Sequence, residues 1–368
     1  MISATKRIDT AMNKAISEKT FPGAALLVSQ KGRVIHRNFY GNASLLPSPE
    51  PVTDKTIFDV ASLTKPLVTA SLALIARAKK GLSLNAQASK YLKELADSGI
   101  PDHRKITIRH LLRHASGLSA WKPYFEEIAR ERPDQIGKRS CRDLYLLKIA
   151  AEPLETPVAY RRVYSDLGFI LLGILLENFF DRPLDVLFEE AVAKPLGLRN
   201  TFFIPVGAPL PRPPENLAAT EESVWRKKLL RGEVHDDNAY ALGGVAGHAG
   251  LFSHVDDLHA FLLAVRQSVQ GGHDLFPQEE MLEFVGPKSK IKLCWDTPSP
   301  EDSQAGRHFS KNAIGHLGYT GCSFWIDFEK DFHVVLLTNR VHPSSKNESI
   351  KQFRPQIHDL IYENLINI

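Results

Sequence analysis

An α+β fold is predicted from the sequence, with strands from both chain ends forming one antiparallel sheet, helices flanking it, and a mostly helical region inserted between the strands. Strand-type runs with turn signals cluster near the two termini, and helix-type periodicity dominates the stretch between them. The length of 368 residues, with 43% apolar and 24% charged residues, suffices for one large core or two joined ones. A single domain is expected over 1–368, with its sheet part in 1–64 and 266–368 and its mostly helical part in 65–265.

The chain opens with "MISATKRIDTAMNKAISEK", in which Ile8, Met12 and Ile16 share one face of an amphipathic helix. "GAALLVSQKGRVIHRNFYG" follows as two β-type runs joined by a short turn at Gly32, a hairpin signal. "ITIRHLLRH", "CRDLYLLKIA", "SDLGFILLGILLENFF", "LDVLFEEAVAKPLG" and "VDDLHAFLLAVRQSV" carry helical periodicity. "HLLRHASGL" reads as a helix stopped at Ser116–Gly117, with His114 in a structural role. "IPVGAPLPRPPEN" and "DTPSPEDSQAGRHFSKN", rich in Pro, Ser and charge, read as surface loops. In "GHLGYTGCSFWIDFEKDFHVVLLTNR" two or three strands turn at Gly321 and around Lys330, and "SIKQFRPQIHDLIYENLI" closes the chain as a helix.

Composition narrows the function. The formal net charge of +4 is dispersed, with short clusters such as "WRKKLLR" and "GKRSCR" but no basic arm or aromatic-basic platform, which argues against nucleic-acid binding. Cys141, Cys294 and Cys322 are odd in number, widely spaced and outside any metal-ligand pattern, so reduced thiols are expected. The most apolar run, "FILLGILLENFF", is about half the length needed to cross a bilayer and contains Glu177, which makes it a core helix and not a span. The N-terminal stretch lacks the apolar centre and small-residue cleavage site of an export signal, so a cytoplasmic protein is expected. No feature of the chain specifies an oligomeric state.

The chemistry starts from "FDVASLTKPLVTASLALIARAKKG". Lys65 puts an ammonium at the mouth of an apolar helix, where unsatisfied backbone donors favour acceptors and negative charge. Ser-x-x-Lys occurs at Ser3/Lys6, Ser62/Lys65, Ser119/Lys122 and Ser289/Lys292, and context separates them. Ser3 lies at a terminus, Ser119 in a loop ended by Pro123, and Ser289 in the lysine-rich "GPKSKIK", whereas Ser62 opens a buried helix. Pro66 suits a first turn, where its missing N–H has no partner to lose, and "KKG" places cations at the helix's negative end before a glycine stop. Residues three apart share a helical face, so the Lys65 amine can reach the Ser62 hydroxyl. Serine needs such a base to act as a nucleophile, and a lysine withdrawn from water is expected to have a lowered pKa and to accept the proton. The competing reading is a serine cap beside a snorkelling lysine.

"SLTK", "RVYSDLG" and "GHLGYTG" stand in the order and approximate spacing of the three active-site motifs of the β-lactamase and penicillin-binding serine hydrolases. The whole chain resembles the class C β-lactamase-like branch of that superfamily, including "FPGAALLVSQKGRVIHRNFYG", "LLRHASGL", "GGVAGHAGLFS" and "YTGCSFWID". The resemblance implies a β-lactamase/transpeptidase-like fold, with Ser62 as the acylated nucleophile and Lys65 as its proton partner. The second motif, ordinarily Tyr-x-Asn, is Tyr164-Ser165-Asp166 here, which implies Tyr164 as the proton relay, its pKa pulled toward neutrality by the neighbouring lysine. Asp166 departs from the pattern. A carboxylate cannot donate a hydrogen bond, favours a charged Lys65 and shifts the base role toward Tyr164; a plainer reading makes Asp166 the cap of the following helix.

The third motif, commonly Lys-Thr-Gly, is His316-Leu317-Gly318. By resemblance His316 lines the pocket opposite Ser62, Gly318 lets the strand approach the substrate, and the N–H groups of Tyr319 and Ser62 form the oxyanion hole. A mostly neutral imidazole in place of lysine removes a fixed charge for a substrate carboxylate. "EVHDDNAYALGGVAGHAGLFS" crowds His235, Asp236, Asp237, Asn238 and His248 around glycines. Donors on such an irregular segment make an unconvincing metal site, and no metal or cofactor is expected. The resemblance implies that this stretch, with His235 and Asn238, shapes the substrate pocket; the bland alternative is a loop held by Asx-type bonds. The expected activity is that of a serine hydrolase acting through an acyl-enzyme on a small-molecule or short-peptide ester or amide, β-lactams and D-amino-acid peptides included. The alternative is a catalytically silent penicillin-binding-type protein, suggested by Asp166 and His316.

Overall fold

The computed structural model describes residues 4–286 and 291–367, so Ser3 and Ser289, of two of the Ser-x-x-Lys matches, lie outside the described residues. Strands β1 (Gly23–Gln30) and β2 (Arg33–Ser44) form the expected hairpin, and β3 (Glu50–Pro51) pairs with β2. Shorter strands follow: β4 (Phe58–Asp59), β5 (Phe202–Phe203), β6 (Glu222–Ser223), β7 (Lys228–Leu229) and β8 (Leu251–Ser253). The C-terminal part supplies β9 (Ile314–Leu317), β10 (Ser323–Asp327) and β11 (Phe332–Thr338). The main sheet is antiparallel with order β3-β2-β1-β11-β10-β9, and Ala24↔Thr338 through Gln30↔Phe332 join the two ends of the chain at its centre. β9 is left at one edge.

β1 reads as continuously apolar because both faces of the sheet are covered. Ala24, Leu26 and Val28 meet Ile8 and Met12 of helix Ala4–Ser17 and Ile357 and Ile361 of helix Ile350–Ile361. Ala25 and Leu27, one residue out of phase, join the larger core with Phe324, Ile326, Val335 and Leu337. Helix Val255–Val269 crosses the 265/266 division and lies on β1 and β11 from that side. The irregular segment after Asp296 sends Phe309 back into the first core, 4.6 Å from the Phe332 ring.

Helix Asp166–Phe180 is apolar all round, and all of Leu167–Leu176 is buried, as expected for a core helix. Among the described residues no helix is long and apolar enough to cross a membrane. The helix after Ser62 is less regular than expected, with one 3-10 turn (Ala61–Leu63), a π-helical stretch (Lys65–Ala70) and an α-helix (Ser71–Lys80) that Gly81 ends at φ 71°. π-helical turns are rare and often occur at functional sites. The helix before His114 stops early, at Leu112, and His114 itself takes the left-handed conformation, φ 54°. A small sheet of order β4-β8-β5 joins Phe58–Asp59 to two strands of the mostly helical region; two- and three-residue strands are too short to leave a periodic signal.

Candidate active site

Ser62 lies in the 3-10 turn that follows β4. The residue before it, Ala61, is held at φ 47°, a conformation that costs a non-glycine residue about 1–3 kcal/mol. Asp59 holds the turn: Oδ1 accepts the Ala61 N–H at 2.8 Å and Oδ2 the His235 N–H at 2.7 Å. Burial raises the Asp59 pKa, only partly opposed by these two donors.

Lys65 is fully buried; its Nζ donates to Ser62 Oγ at 2.8 Å and to the His248 carbonyl at 3.1 Å, and lies 2.7 Å from Asp166 Oδ1. Burial opposes the ammonium, but Asp166 and Tyr164 outweigh it and leave the Lys65 pKa raised above the ordinary lysine value. The expected lowered lysine pKa is thereby corrected, because the desolvated amine has a carboxylate at ion-pair distance. Asp166 is not the helix cap. Ser165 is, its Oγ accepting the Gly168 N–H at 3.1 Å, which leaves the Asp166 carboxylate to face Lys65.

Tyr164 completes the cluster, with Lys65 Nζ 4.8 Å from its ring centroid. Desolvation pushes its pKa up to about 12; the Lys65 charge and hydrogen bonding toward Lys65 and Ser62 pull it down, while Asp166 raises it. The expected pull toward neutrality therefore fails, since desolvation outweighs the lysine's field and the aspartate opposes that field as well. His114 stacks on Tyr164 at 4.5 Å, and its Nδ1 accepts the Ser165 N–H at 3.0 Å. Read as structural, His114 is also the support behind the tyrosine, which its sequence context does not announce.

His316 is 1% exposed, its ring 6.1 Å from that of Tyr164. Its Nδ1–H donates to the Leu317 carbonyl at 3.0 Å, and burial lowers its pKa to about 4. It is a buried neighbour of the tyrosine, and burial keeps its imidazole neutral. A Cβ on Gly318 would stand 2.6 Å from the Val60 carbonyl oxygen, so glycine lets the turn after β9 lie against the segment leading to Ser62. Thr320 Oγ1 ties the same turn to the Asp59 carbonyl at 2.8 Å. Tyr319 is 55% exposed beside it, with its ring stacked on His235 at 5.6 Å and its carbonyl bound by Arg340 Nε at 2.8 Å.

The structure thus gathers Ser62, Lys65, Tyr164 and Asp166, with Gly318, Tyr319 and His235 alongside and His316 behind. Asn238 stands apart: buried, its Nδ2 donates to the Lys122 carbonyl at 2.9 Å, while Oδ1 accepts from the Tyr145 hydroxyl at 2.7 Å and the Phe125 N–H at 3.3 Å. Its amide is spent on interior partners, whereas the resemblance implied a place in the substrate pocket. His248, given no role of its own from sequence, supplies the carbonyl that receives Lys65, and its Nε2 is anchored on Asp236 Oδ1 at 2.9 Å. A backbone carbonyl leaves no side-chain signature in a sequence.

A serine hydrogen-bonded to a buried lysine, with a tyrosine beside both at the foot of an antiparallel sheet, defines a serine hydrolase of the β-lactamase/transpeptidase fold. The chain belongs to the beta-lactamase family, whose model matches residues 6–357. It is similar to the N-acetylmuramyl-L-alanine amidase of Bacillus subtilis (strain 168), with 34% identity over 369 residues covering 92% of this chain and 81% of that protein. It is also similar to a putative D-alanyl-D-alanine carboxypeptidase of Escherichia coli (strain K12), at 29% identity over 90% of this chain and 82% of that one. Among solved structures, EstCE1, a hydrolase with promiscuous acyltransferase activity, has the same fold at a TM-score of 0.75, with 24% identity and 98% of both chains covered. Members of the family are acyl-enzyme serine hydrolases, and nothing favours the silent alternative.

Proposed function

We propose that Ser62 is the nucleophile of a hydrolase that cleaves amides or esters of small carboxylic acids through an acyl-enzyme. The observation that supports this most is the 2.8 Å contact between Ser62 Oγ and the fully buried Lys65 Nζ, itself 2.7 Å from Asp166. Ser62 Oγ attacks the carbonyl carbon while its proton passes to the Tyr164 oxygen in phenolate form, a form the charged Lys65 stabilises. Tyr164 returns the proton to the leaving nitrogen or oxygen as its bond to the acyl carbon breaks. Water then attacks the acyl-enzyme, gives a proton to Tyr164, and Ser62 departs with that proton. The N–H groups of Ser62 and Tyr319 hold the oxyanion, and Gly318 sets their approach. Lys65, kept charged by Asp166, anchors the phenolate electrostatically and is not the base.

An amide of the muramyl-peptide kind is supported by the amidase relative at 34% identity. Three buried, unpaired cysteines are compatible with a reducing, cytoplasmic setting. Intact-protein mass spectrometry after incubation with a reactive fluorophosphonate and, separately, a penicillin tests the reading on wild type and Ser62→Ala. A Ser62-dependent fluorophosphonate adduct is expected; a folded wild type that takes neither label overturns the nucleophile assignment.

A further inference from the structure

β9 is the outer strand of the main sheet, and alternate residues along it direct their peptide groups away from β10. Gly315 faces outward: its N–H donates to the Asp296 carbonyl at 3.0 Å and its carbonyl accepts the Asp296 N–H at 2.9 Å. Asp296 is pinned there by Arg162 Nη2, 2.7 Å from its Oδ1, and by its buried neighbour Trp295, whose ring lies 5.5 Å from that of Phe324. Two residues on, the Leu317 carbonyl accepts the His316 Nδ1–H at 3.0 Å. Two further, past the strand end, the Tyr319 carbonyl accepts Arg340 Nε–H at 2.8 Å. The same guanidinium is locked by the Ser345 carbonyl at 2.9 Å and the Asn347 carbonyl at 2.7 Å. The carbonyls at 315, 317 and 319 are all engaged by the protein's own donors.

An extended peptide joining an edge strand needs those acceptors, because in an antiparallel hydrogen-bonded pair each residue both gives an N–H and receives one. If the scissile carbonyl accepts from the Tyr319 N–H, an amide N–H on the carbon next to it arrives at the Tyr319 carbonyl. That acceptor is held by a cationic donor fixed at three points. Of that oxygen's two lone pairs the guanidinium N–H takes one, and an arriving amide N–H must compete beside a fixed cationic donor; one that leaves water there without a well-aligned acceptor is penalised.

We propose that this site selects acyl groups with no amide N–H on the carbon next to the scissile carbonyl. Alkyl and α-alkoxy acyl groups meet the condition, whereas N-acylaminoacyl groups do not; the leaving group is not restricted in this way. The selection rests on the acyl-enzyme reading above, with the Tyr319 N–H as an oxyanion donor. Arg340 is its specificity-determining residue, acting through the Tyr319 carbonyl in the turn beyond β9.

The test compares p-nitrophenyl 3-benzoylpropionate with p-nitrophenyl hippurate, which differ only by CH2 in place of N–H, each rate normalised to that ester's hydrolysis by hydroxide in buffer. Wild type is expected to show a kcat/KM at least about fivefold higher for the benzoylpropionate, the lower bound for one unpaired N–H. A smaller ratio, or preference for the hippurate, overturns the selection while leaving the acyl-enzyme reading intact. If neither ester gives a Ser62-dependent acyl adduct on folded protein by intact mass, the acyl-enzyme reading fails and the selection falls with it. In Arg340→Lys, which loses the planar fork, the ratio is expected to narrow; an unchanged ratio in a variant that still turns over both esters overturns the role given to the Tyr319 carbonyl.

Discussion

Lys65 and Asn238 are buried to nearly the same degree, 0% and 1% exposed, and both direct a polar head into the interior. Around Asn238 the network is closed: a carbonyl, a hydroxyl and a backbone N–H, all neutral, take its amide. Around Lys65 the network is charged and open, since beyond Asp166 and the His248 carbonyl it reaches the hydroxyl of Ser62 and the ring of a 39% exposed tyrosine. Burial alone therefore does not separate a structural polar residue from a functional one. What separates them is whether the bonds end inside the protein or at a group a substrate can reach.

The largest expected effect comes from breaking the open network. Lys65→Met is expected to lower turnover about a thousandfold, from the lost electrostatic support of the phenolate, and to cost about 3–5 kcal/mol of stability by leaving Asp166 unpaired. The double change Lys65→Met with Asp166→Leu should restore most of that stability in a denaturant titration without restoring turnover. If the double variant is no more stable than the single one, the ion pair is not the reason Lys65 stays charged.

Tyr164→Phe is next, with kcat expected to fall about a hundredfold or more while the fold is kept. The pH profile carries the sign. With the Tyr164 pKa at about 12, the reactive phenolate is the minor form at neutral pH and grows tenfold per pH unit, so wild-type kcat/KM should keep rising through about pH 10. A plateau below about pH 9 would count against Tyr164 as the proton acceptor, and Tyr164→Phe should lose the rise.

Asn238→Ala sharpens the comparison from the closed side. It should cost about 2–3 kcal/mol by stranding the Tyr145 hydroxyl and two backbone groups, yet change kcat by less than about threefold. A variant of unchanged stability whose kcat drops tenfold would return Asn238 to the pocket.

Much of the site was legible because it rests on short-range geometry. Ser62 and Lys65 are three residues apart on one helical face, and Tyr164, Ser165 and Asp166 are contiguous at the start of a helix whose apolar sequence demands burial. Long-range contacts were not legible in the same way. The Lys65–Asp166 distance joins residues about a hundred positions apart, and the His248 carbonyl belongs to a glycine-rich stretch for which the resemblance implied a pocket role. The early helix stop at Leu112, with the left-handed His114 behind Tyr164, leaves no periodic mark, and the two-residue strands β4 and β5 offer too few residues for one.

By itself the sequence determined most of the elements, the buried all-apolar helix and the pairing of a serine with a lysine, because side-chain spacing and backbone periodicity are local properties. Tertiary structure alone decided that Lys65 is charged, that Tyr164 holds its proton, that His316 is buried and neutral, and that the carbonyls along the edge of β9 are engaged. Those outcomes follow from distances and desolvation between segments far apart in the chain, and electrostatic energies depend on both.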